Sequence, residues 1–338
     1  MLEARKTYNK FMEENPEGAA IFNPDGLLYL LDKKHFEKNK TKFAGDASME
    51  FYTKAEFEQQ KELYEPLFDG ADYHGVLLSK EEGYVDPQRT VALLAQKVKE
   101  MGGVVKTGTA VEKITEGDNG VKLTVEGSTE PMYDACVVAL GAFPGNFVKA
   151  SGFKDDVSEI FGIKGYSVTG RMPEGTLKRG VVDGRDTKFI RPFVDKNGTY
   201  CVRFGGIADP FDEDDPYKIN WDRMEEFAKN DLVNKMFEDN QLPIDKKLSF
   251  TPDLNYDVVV EEGKVEVWTG IRPVNKHGRA PLIRFIHGSK KSMVLSGFGS
   301  NGFVMCWYAG PEVAKRFHKE MIEQKETKQE TLVLAAVA

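Results

Sequence analysis

The residues best suited to chemistry lie near the carboxyl end of the chain. Gly297-Phe298-Gly299-Ser300-Asn301-Gly302 has the Gly-x-Gly-x-x-Gly spacing, follows an apolar run and opens a helical pattern. Small residues there let backbone approach a ligand closely, and a helix start offers unpaired N–H groups and positive potential to an electron-rich group. A dinucleotide fingerprint should instead begin a βαβ unit, with an acidic residue about 20 positions further on. The helix after Gly302 runs nearly to the end of the chain, so that standard reading is rejected. A tight strand-to-helix turn accounts for the same residues. Upstream, Trp268-Thr269-Gly270-Ile271-Arg272-Pro273 ends a predicted strand with one guanidinium stiffened by its neighbours. Such an Arg suits two-point recognition of a carboxylate; an exposed Arg in a turn is the plain alternative.

Other candidates carry less. Lys164-Gly165-Tyr166-Ser167-Val168-Thr169-Gly170 nearly imitates a nucleophile elbow, but Gly-x-Ser-x-x-Gly is one residue too long, which argues against a serine hydrolase. The five His show no His-Glu-x-x-His spacing, so a zinc protease has no support. Asp209, Asp212, Glu213, Asp214 and Asp215 crowd one segment without the Gly and distal Glu of a calcium loop, and read as a solvated acidic loop. Cys136, Cys201 and Cys306 are too few and too dispersed for a disulfide framework or a zinc site. A reducing, cytoplasmic setting is expected.

Composition narrows the classes further. The 338 residues suggest two domains or one large α/β unit, and 41% hydrophobic with 30% charged residues is ordinary globular composition. A net charge of −8 with no basic run leaves no phosphate-neutralising surface, which excludes DNA or RNA as the main partner. The apolar tail 332–338 is far short of the roughly 20 residues that span a bilayer, and the start MLEARKTYNK has no apolar leader core, so no transmembrane segment is expected.

The elements that must position the candidates can be outlined from spacing. A helix is expected over 2–14, then a hairpin in which 20–22 and 27–31 flank Asn23-Pro24-Asp25-Gly26. Asp86 and Pro87 start a helix over 87–101, with Val91, Leu94, Ala95, Val98 and Met101 on its apolar face and Gly102-Gly103 ending it. Strands are expected at 103–107, 110–115 and 121–126. The unalternating run 135–140 into Gly141 reads as a strand buried on both faces. Residues 163–206 read as β segments with Asp195-Lys196-Asn197-Gly198 turning one pair, followed by a helix near 221–237. Strands at 265–268 and 293–296 precede a long helix from Phe303.

Taken in order, GYVDP (83–87), YDACVVALGAF (133–143), IKGYS (163–167), VRFGG (202–206), WTGIRP (268–273) and LSGFGSNGF (295–303) resemble the FAD-dependent D-amino-acid oxidase family over roughly residues 20–320. The KGYS segment, followed by a paired strand ending in Gly-Gly, looks most like its D-amino-acid dehydrogenase branch.

The resemblance implies an α/β plus α+β fold: an incomplete Rossmann-like FAD-binding domain (81–155 and 268–325), an inserted antiparallel-sheet substrate domain (1–80 and 156–267), and a polar, flexible tail (326–338). It also implies non-covalent FAD, since no Cys lies near WTGIRP, and a small amino-acid substrate. By analogy Arg272 would grip the substrate carboxylate as the catalytic orienting group, with Tyr166 and Phe189 in the substrate pocket. A core aromatic on a strand is the plain alternative for Phe189. Gly297, Gly299, Ser300, Asn301, Gly302 and Phe303 would wrap the flavin ring, Gly141 would end the strand beneath it, and the Val111 backbone would meet the adenine.

The implied reaction is oxidative deamination of a D-amino acid, with a hydride leaving Cα for flavin N5 to give an imino acid that water hydrolyses to a 2-oxo acid and ammonia. Two alternatives stand beside it: glycine or sarcosine oxidase-like oxidation of a secondary amine, and a flavin-free remnant or fragment with a binding role. Family members begin with a βαβ unit carrying Gly-x-Gly-x-x-Gly. That unit is not recognised here, so an amino-terminally truncated chain is expected, with strand 135–140 left without parallel neighbours. The resemblance also allows peripheral membrane association.

Overall fold

A computed structural model describes residues 2–60, 62–126, 128–155, 157–185, 188–195, 197–210, 220–228, 230–234, 265–278, 280–325 and 334–337. The first stretch forms helix α1 (Leu2–Glu14), strands β1 (Phe22–Asn23) and β2 (Leu27–Leu31), helix α2 (Lys33–Lys42), strand β3 (Met49–Thr53), helix α3 (Lys54–Glu58) and strands β4 (Gly75–Ser79) and β5 (Tyr84–Val85). Helix α4 (Pro87–Glu100) is followed by strands β6 (Val111–Gly117), β7 (Gly120–Val125), β8 (Ser128–Tyr133) and β9 (Ala135–Val138) and helix α5 (Pro144–Ala150). Then come strands β10 (Ile160–Arg171), β11 (Gly180–Asp183), β12 (Lys188–Val194) and β13 (Tyr200–Pro210), helix α6 (Trp221–Ala228), strands β14 (Val265–Asn275), β15 (Leu282–Phe285) and β16 (Ser292–Ser296), helix α7 (Gly302–Lys325) and strand β17 (Leu334–Val337).

Two sheets organise the molecule. The larger has eight strands in the order β14-β10-β13-β12-β11-β2-β4-β3, antiparallel except where β11 runs parallel to β2. Its core face carries Leu28, Leu30, Val76, Tyr166, Val168, Ile190, Val202 and Phe204. The smaller sheet is ordered β15-β16-β9-β17, and Val137 and Met293 of that sheet pack with Val313 and Phe317 of α7. A third sheet, β6-β7-β8, lies against the same unit, with Ile114, Val121 and Leu123 in one cluster with Cys136 and Val138. The result is the mixed α/β architecture expected, a small parallel-type unit joined to a large, mostly antiparallel one.

Several local signals act where the sequence places them. Asp86 caps α4, accepting hydrogen bonds from the Gln88 and Arg89 backbone at 3.0 and 3.1 Å, with Pro87 in the first turn. Asp195 closes the β12–β13 turn by accepting from the Asn197 and Thr199 backbone N–H at 2.9 and 2.8 Å. β9 is buried at every position, as its unbroken apolar run requires.

Other expectations are corrected. Residues 20–31 make no hairpin: β1 pairs with β5, and β2 with β4 and β11, because the partners lie far away in sequence. Residues 103–107 form an exposed loop instead of a strand. On α4 the buried positions are Thr90 and Leu93, while Met101 is 87% exposed and Val91 and Val98 also face outward. β9 is not left without parallel neighbours, since β16 lies on one side and β17, the last strand, on the other. That strand also corrects the flexible tail over 326–338; residues 326–333 lie outside the described residues. β14 pairs with β10 along its whole length, from Val265 to Asn275, so the expected division at 268 falls inside one continuous strand of the large sheet. α1 packs on α7, with Tyr8 and Phe11 against Trp307 at ring-centroid distances of 5.1 and 5.0 Å, which places residues 2–14 with the smaller unit. Of the helix expected near 221–237, residues 221–228 and 231–234 are helical with a bend at Asn230 between them, and residues 229 and 235–237 lie outside the described residues.

A polar clamp joins the two units beside the start of β10. Asp155 receives both terminal nitrogens of Arg284, one at 3.1 Å, and the His287 and Val157 backbone N–H at 2.9 and 3.1 Å. Arg284 also donates to Glu159 at 2.8 Å, and the Glu159 carbonyl accepts from the Lys276 N–H just past β14 at 2.8 Å. Donation from Arg284 holds the Asp155 carboxyl down at about 2, against 3.8 ordinarily, although burial opposes it. A depressed carboxyl favours the folded state above its unfolded pKa and loses that contribution as pH falls toward the folded value. Asp155→Asn is therefore expected to cost about 2 kcal/mol at pH 7. Urea unfolding should show the difference from the parent shrinking as pH falls from about 4 toward 2.

Candidate functional site

Strand alternation sorts β10 and β14 into two faces. Tyr166, Val168 and Val267 enter the core. The opposite face carries the cross-strand pairs Ile163 with Arg272, Gly165 with Gly270, Ser167 with Trp268, and Thr169 with Glu266. The row through Ser167 continues to Gly205 on β13 and Phe189 on β12.

The Gly165–Gly270 pair leaves a gap in this layer of side chains, and two neighbours fold into it. A Cβ on Gly165 would sit 2.6 Å from Cζ of Arg272, and one on Gly270 would sit 2.3 Å from the Trp268 ring. The guanidinium and the indole therefore lie over adjacent glycines. Arg272 is half-buried, and that burial lowers its proton affinity from the ordinary guanidinium value. An Arg keeps its charge near neutrality, so an anion beside it recovers part of the lost solvation. Arg272 lies within β14, which corrects the exposed-turn alternative.

The glycine-rich bend meets the end of the same strand. Val274, two residues after Arg272, forms an antiparallel backbone bridge with Phe298. Gly297 has φ +79° and is enclosed, since a Cβ there would meet Ile160 at 2.9 Å and Asn275 at 3.2 Å. Gly299 has φ +56° with nothing within 4 Å of an added Cβ, and Gly141 at the end of β9 has the same φ and the same open space. The Ser296 hydroxyl donates to the Gly141 carbonyl and ties the two bends together. Both bends follow the carboxyl ends of parallel neighbours β9 and β16, where open α/β sheets hold ligands. After the turn Gly299–Asn301, the 24-residue α7 starts at Gly302 with Phe303 in its first turn. A cavity of about 640 Å³ opens between Ala142, the start of β10 at Ile160, Phe161, Gly162 and Ile163, and the end of β13 at Ala208, Asp209 and Pro210. Its lining includes none of the expected site residues, although Ala142 follows Gly141 and Ile163 pairs with Arg272.

Most of the expected site residues are thus brought to one seam, with exceptions. Tyr166 is corrected: its side chain points to the core face, where its hydroxyl donates to Asp209 at 3.1 Å and accepts from the Asn220 N–H at 3.2 Å. It cannot line a pocket shared with Arg272. Asp209 is likewise buried, receiving Arg223 at 2.8 Å, while Asp212–Asp215 lie outside the described residues. Phe189 stands on the site face and is 59% exposed, which corrects its core alternative. Val111 opens β6, pairs with Val125 and packs against the cluster holding Ile114 and Val138. Two residues were missed. Trp268, 44% exposed, sat inside WTGIRP, and Ser167 inside KGYS; neither motif shows from spacing which face its residues take.

The comparisons bear on what this seam holds. A family model described as FAD dependent oxidoreductase (DAO) matches residues 1–316. The fold is similar to that of glycine oxidase from Geobacillus kaustophilus (21% identity, 97% of this chain and 80% of that chain, TM-score 0.69). It is similar to iminodiacetate oxidase from Chelativorans sp. BNC1 (13% identity, 94% and 79%, TM-score 0.69). It is also similar to L-alpha-glycerophosphate oxidase from Mycoplasma pneumoniae, solved with FAD bound (16% identity, 94% and 80%, TM-score 0.64). A search of the curated proteins returns no match. The residues present fit the ring end of a flavin: Gly141 and Gly299 leave open space for a planar group, and the α7 start offers backbone N–H groups to an electron-rich edge.

Gly165→Ala tests whether the gap positions Arg272. Its Cβ would displace the far end of a flexible side chain, so folding should change little. Benzoate binding, measured by calorimetric titration of the FAD-supplemented chain, is expected to weaken about tenfold, the loss of one charge-assisted contact. Unchanged benzoate affinity would show that the guanidinium over Gly165 does not hold the carboxylate.

Proposed function

The chain belongs to the FAD-dependent oxidoreductase (DAO) family, and on that footing we propose that it oxidises the C–N bond of a D-amino acid to an imino acid, which water then hydrolyses to a 2-oxo acid and ammonia. The observation that carries the reading is the seam itself: a guanidinium laid over a glycine pair, two residues from a backbone bridge to the glycine bend. The KGYS segment, resembling the D-amino-acid dehydrogenase branch, supports the choice of substrate.

Bound FAD would supply the acceptor for a hydride from the substrate Cα. This chain's residues do the orienting. Arg272 binds the substrate carboxylate by two parallel N–H donations, which fixes the direction of the Cα–H bond. Gly299, Ser300, Asn301, Gly302 and Phe303 would hold the edge of the flavin, where the start of α7 would favour negative charge, and Gly141 would leave space for the ring. Trp268 and Phe189, exposed on the same face, offer apolar surface to the substrate side chain and keep water from one side of the reacting carbon. No side-chain acid or base is needed in this scheme once the amine is neutral.

Arg272→Leu is expected to raise KM for the preferred amino acid by roughly 10- to 100-fold, the scale of a lost charge-assisted pair, while flavin content stays constant. An unaltered KM would remove Arg272 from the site. Substrate choice is tested with a panel of D-amino acids, L-amino acids, glycine and sarcosine, using an artificial electron acceptor. Turnover confined to glycine and sarcosine would replace the D-amino-acid reading with secondary-amine or glycine oxidation. A chain that purifies colourless and takes up no added FAD would instead point to a flavin-free binding role.

A further inference from the structure

Two buried hydroxyls on the site face, Ser167 and Thr169, are left unused so far, and the Thr169 hydroxyl already accepts from Arg203 at 2.8 Å; Ser167 is the other. It is 8% exposed, and its Oγ has no hydrogen-bond partner among the described residues. A hydroxyl removed from water without a partner is destabilising, so its retention calls for a reason beyond folding.

Its placement supplies one. The β10–β13 register shifts between Tyr166 and Ser167: Tyr166 pairs with Ile207 and Ser167 with Gly205, so Gly206 is bulged out, at φ +144°. Such bulges redirect neighbouring side chains and recur beside active sites. Along β10, Ser167 stands two residues from Gly165 on the same face, about 6.6 Å away at roughly 3.3 Å per residue. The Arg272 guanidinium lies over Gly165. Two hydrogen bonds of about 2.9 Å, bent at each contact around the short carbon bridge of an α-amino acid, fit a span of that order.

We infer that Ser167 is a second substrate-binding residue: its hydroxyl accepts a hydrogen bond from the substrate amino group while Arg272 holds the carboxylate. The inference rests on the proposed reading of the same site and deepens it to a two-point grip on the amino and carboxylate groups of one small molecule. Two fixed points, with the side chain directed to the Trp268–Phe189 side, orient Cα in a way a carboxylate contact alone does not. In the described rotamer the Oγ is covered, so the ligand engages it after rotation about χ1 to another staggered position. The Gly205 neighbour leaves room for this, since it lacks the Cβ that would otherwise sit 3.7 Å from that of Ser167.

The test uses two carboxylates that differ by one amine and are not turned over, benzoate and 2-aminobenzoate. Each is titrated calorimetrically into the full chain supplemented with FAD, for the parent, Ser167→Ala and Arg272→Leu. The parent should bind 2-aminobenzoate more tightly than benzoate. Ser167→Ala should cut that preference about tenfold at constant benzoate affinity, whereas Arg272→Leu weakens both. Thermal unfolding is the second readout: Ser167→Ala should keep or raise Tm, because it removes an unpartnered hydroxyl. A preference unchanged in Ser167→Ala, with both probes still dependent on Arg272, overturns this inference and leaves the proposed function standing. A Tm lowered by several degrees overturns it too, by showing that the hydroxyl is already bonded within the fold. A parent that binds neither probe overturns both readings.

Discussion

The backbone bridge between Val274 and Phe298 is the constraint on which the candidate site depends. β14 spans one edge of the large sheet, and near its end, while still paired with β10, it also bridges through Val274 to the bend before α7. Strand geometry then does the rest. Arg272 lies two residues before the bridge, about 6.6 Å along the strand, so the bend and the guanidinium cannot move apart without breaking the pairing. Two units with separate cores thereby share one seam, and the seam is where the ligand-facing glycines lie.

Holding such a seam in place needs rigidity that the apolar cores do not supply, because a ligand site must stay partly open. The polar clamp provides it from behind. Glu159 touches both sides, through its carboxylate to Arg284 on β15 and through its carbonyl to Lys276 beyond β14. Asp155 completes the arrangement with two backbone N–H groups as well as the guanidinium. Charged groups with several fixed donors resist shear better than a single exposed ion pair, whose contribution is small. The clamp also sits immediately before β10, the strand that carries Gly165 and Ser167.

Much of this was legible in the sequence, for identifiable reasons. Asp86-Pro87, the Asp195 turn, the apolar run of β9 and the glycines around Gly299 act through local chemistry, and each appears where its residues indicated. What escaped was set at long range. β10 is buried on both faces from Lys164 to Gly170, so no alternation of polar and apolar residues marks which side chains share the site. The resemblance names Tyr166 beside Arg272, and nothing in the alternation shows that its neighbour Ser167 takes that face instead, a difference of one residue that reverses sides. The bulge at Gly206 compounds it, since only the three-dimensional register reveals which residue is extra. The expected hairpin at 20–31 failed likewise, because the turn residues are real but the strands on either side join different sheets.

The glycines divide by task, and the division explains why the motifs looked weak one by one. Gly299 and Gly141 answer to backbone conformation, whereas Gly165 and Gly270 answer to space, being ordinary strand residues whose missing Cβ admits a neighbour's side chain. A pattern search weighs only the first kind. The second becomes visible when strands are paired, because a gap needs two facing glycines to be wide enough for a guanidinium and an indole. Folding would favour filling that gap with two β-branched residues, which would pack the face and strengthen both strands. The chain instead keeps there a half-buried cation and, one row away, a buried hydroxyl without a hydrogen-bond partner among the described residues. A fold that forgoes local stability at adjacent positions on one face, beside the open bend of a flavin-dependent family, fits a site shaped for a ligand that engages that hydroxyl.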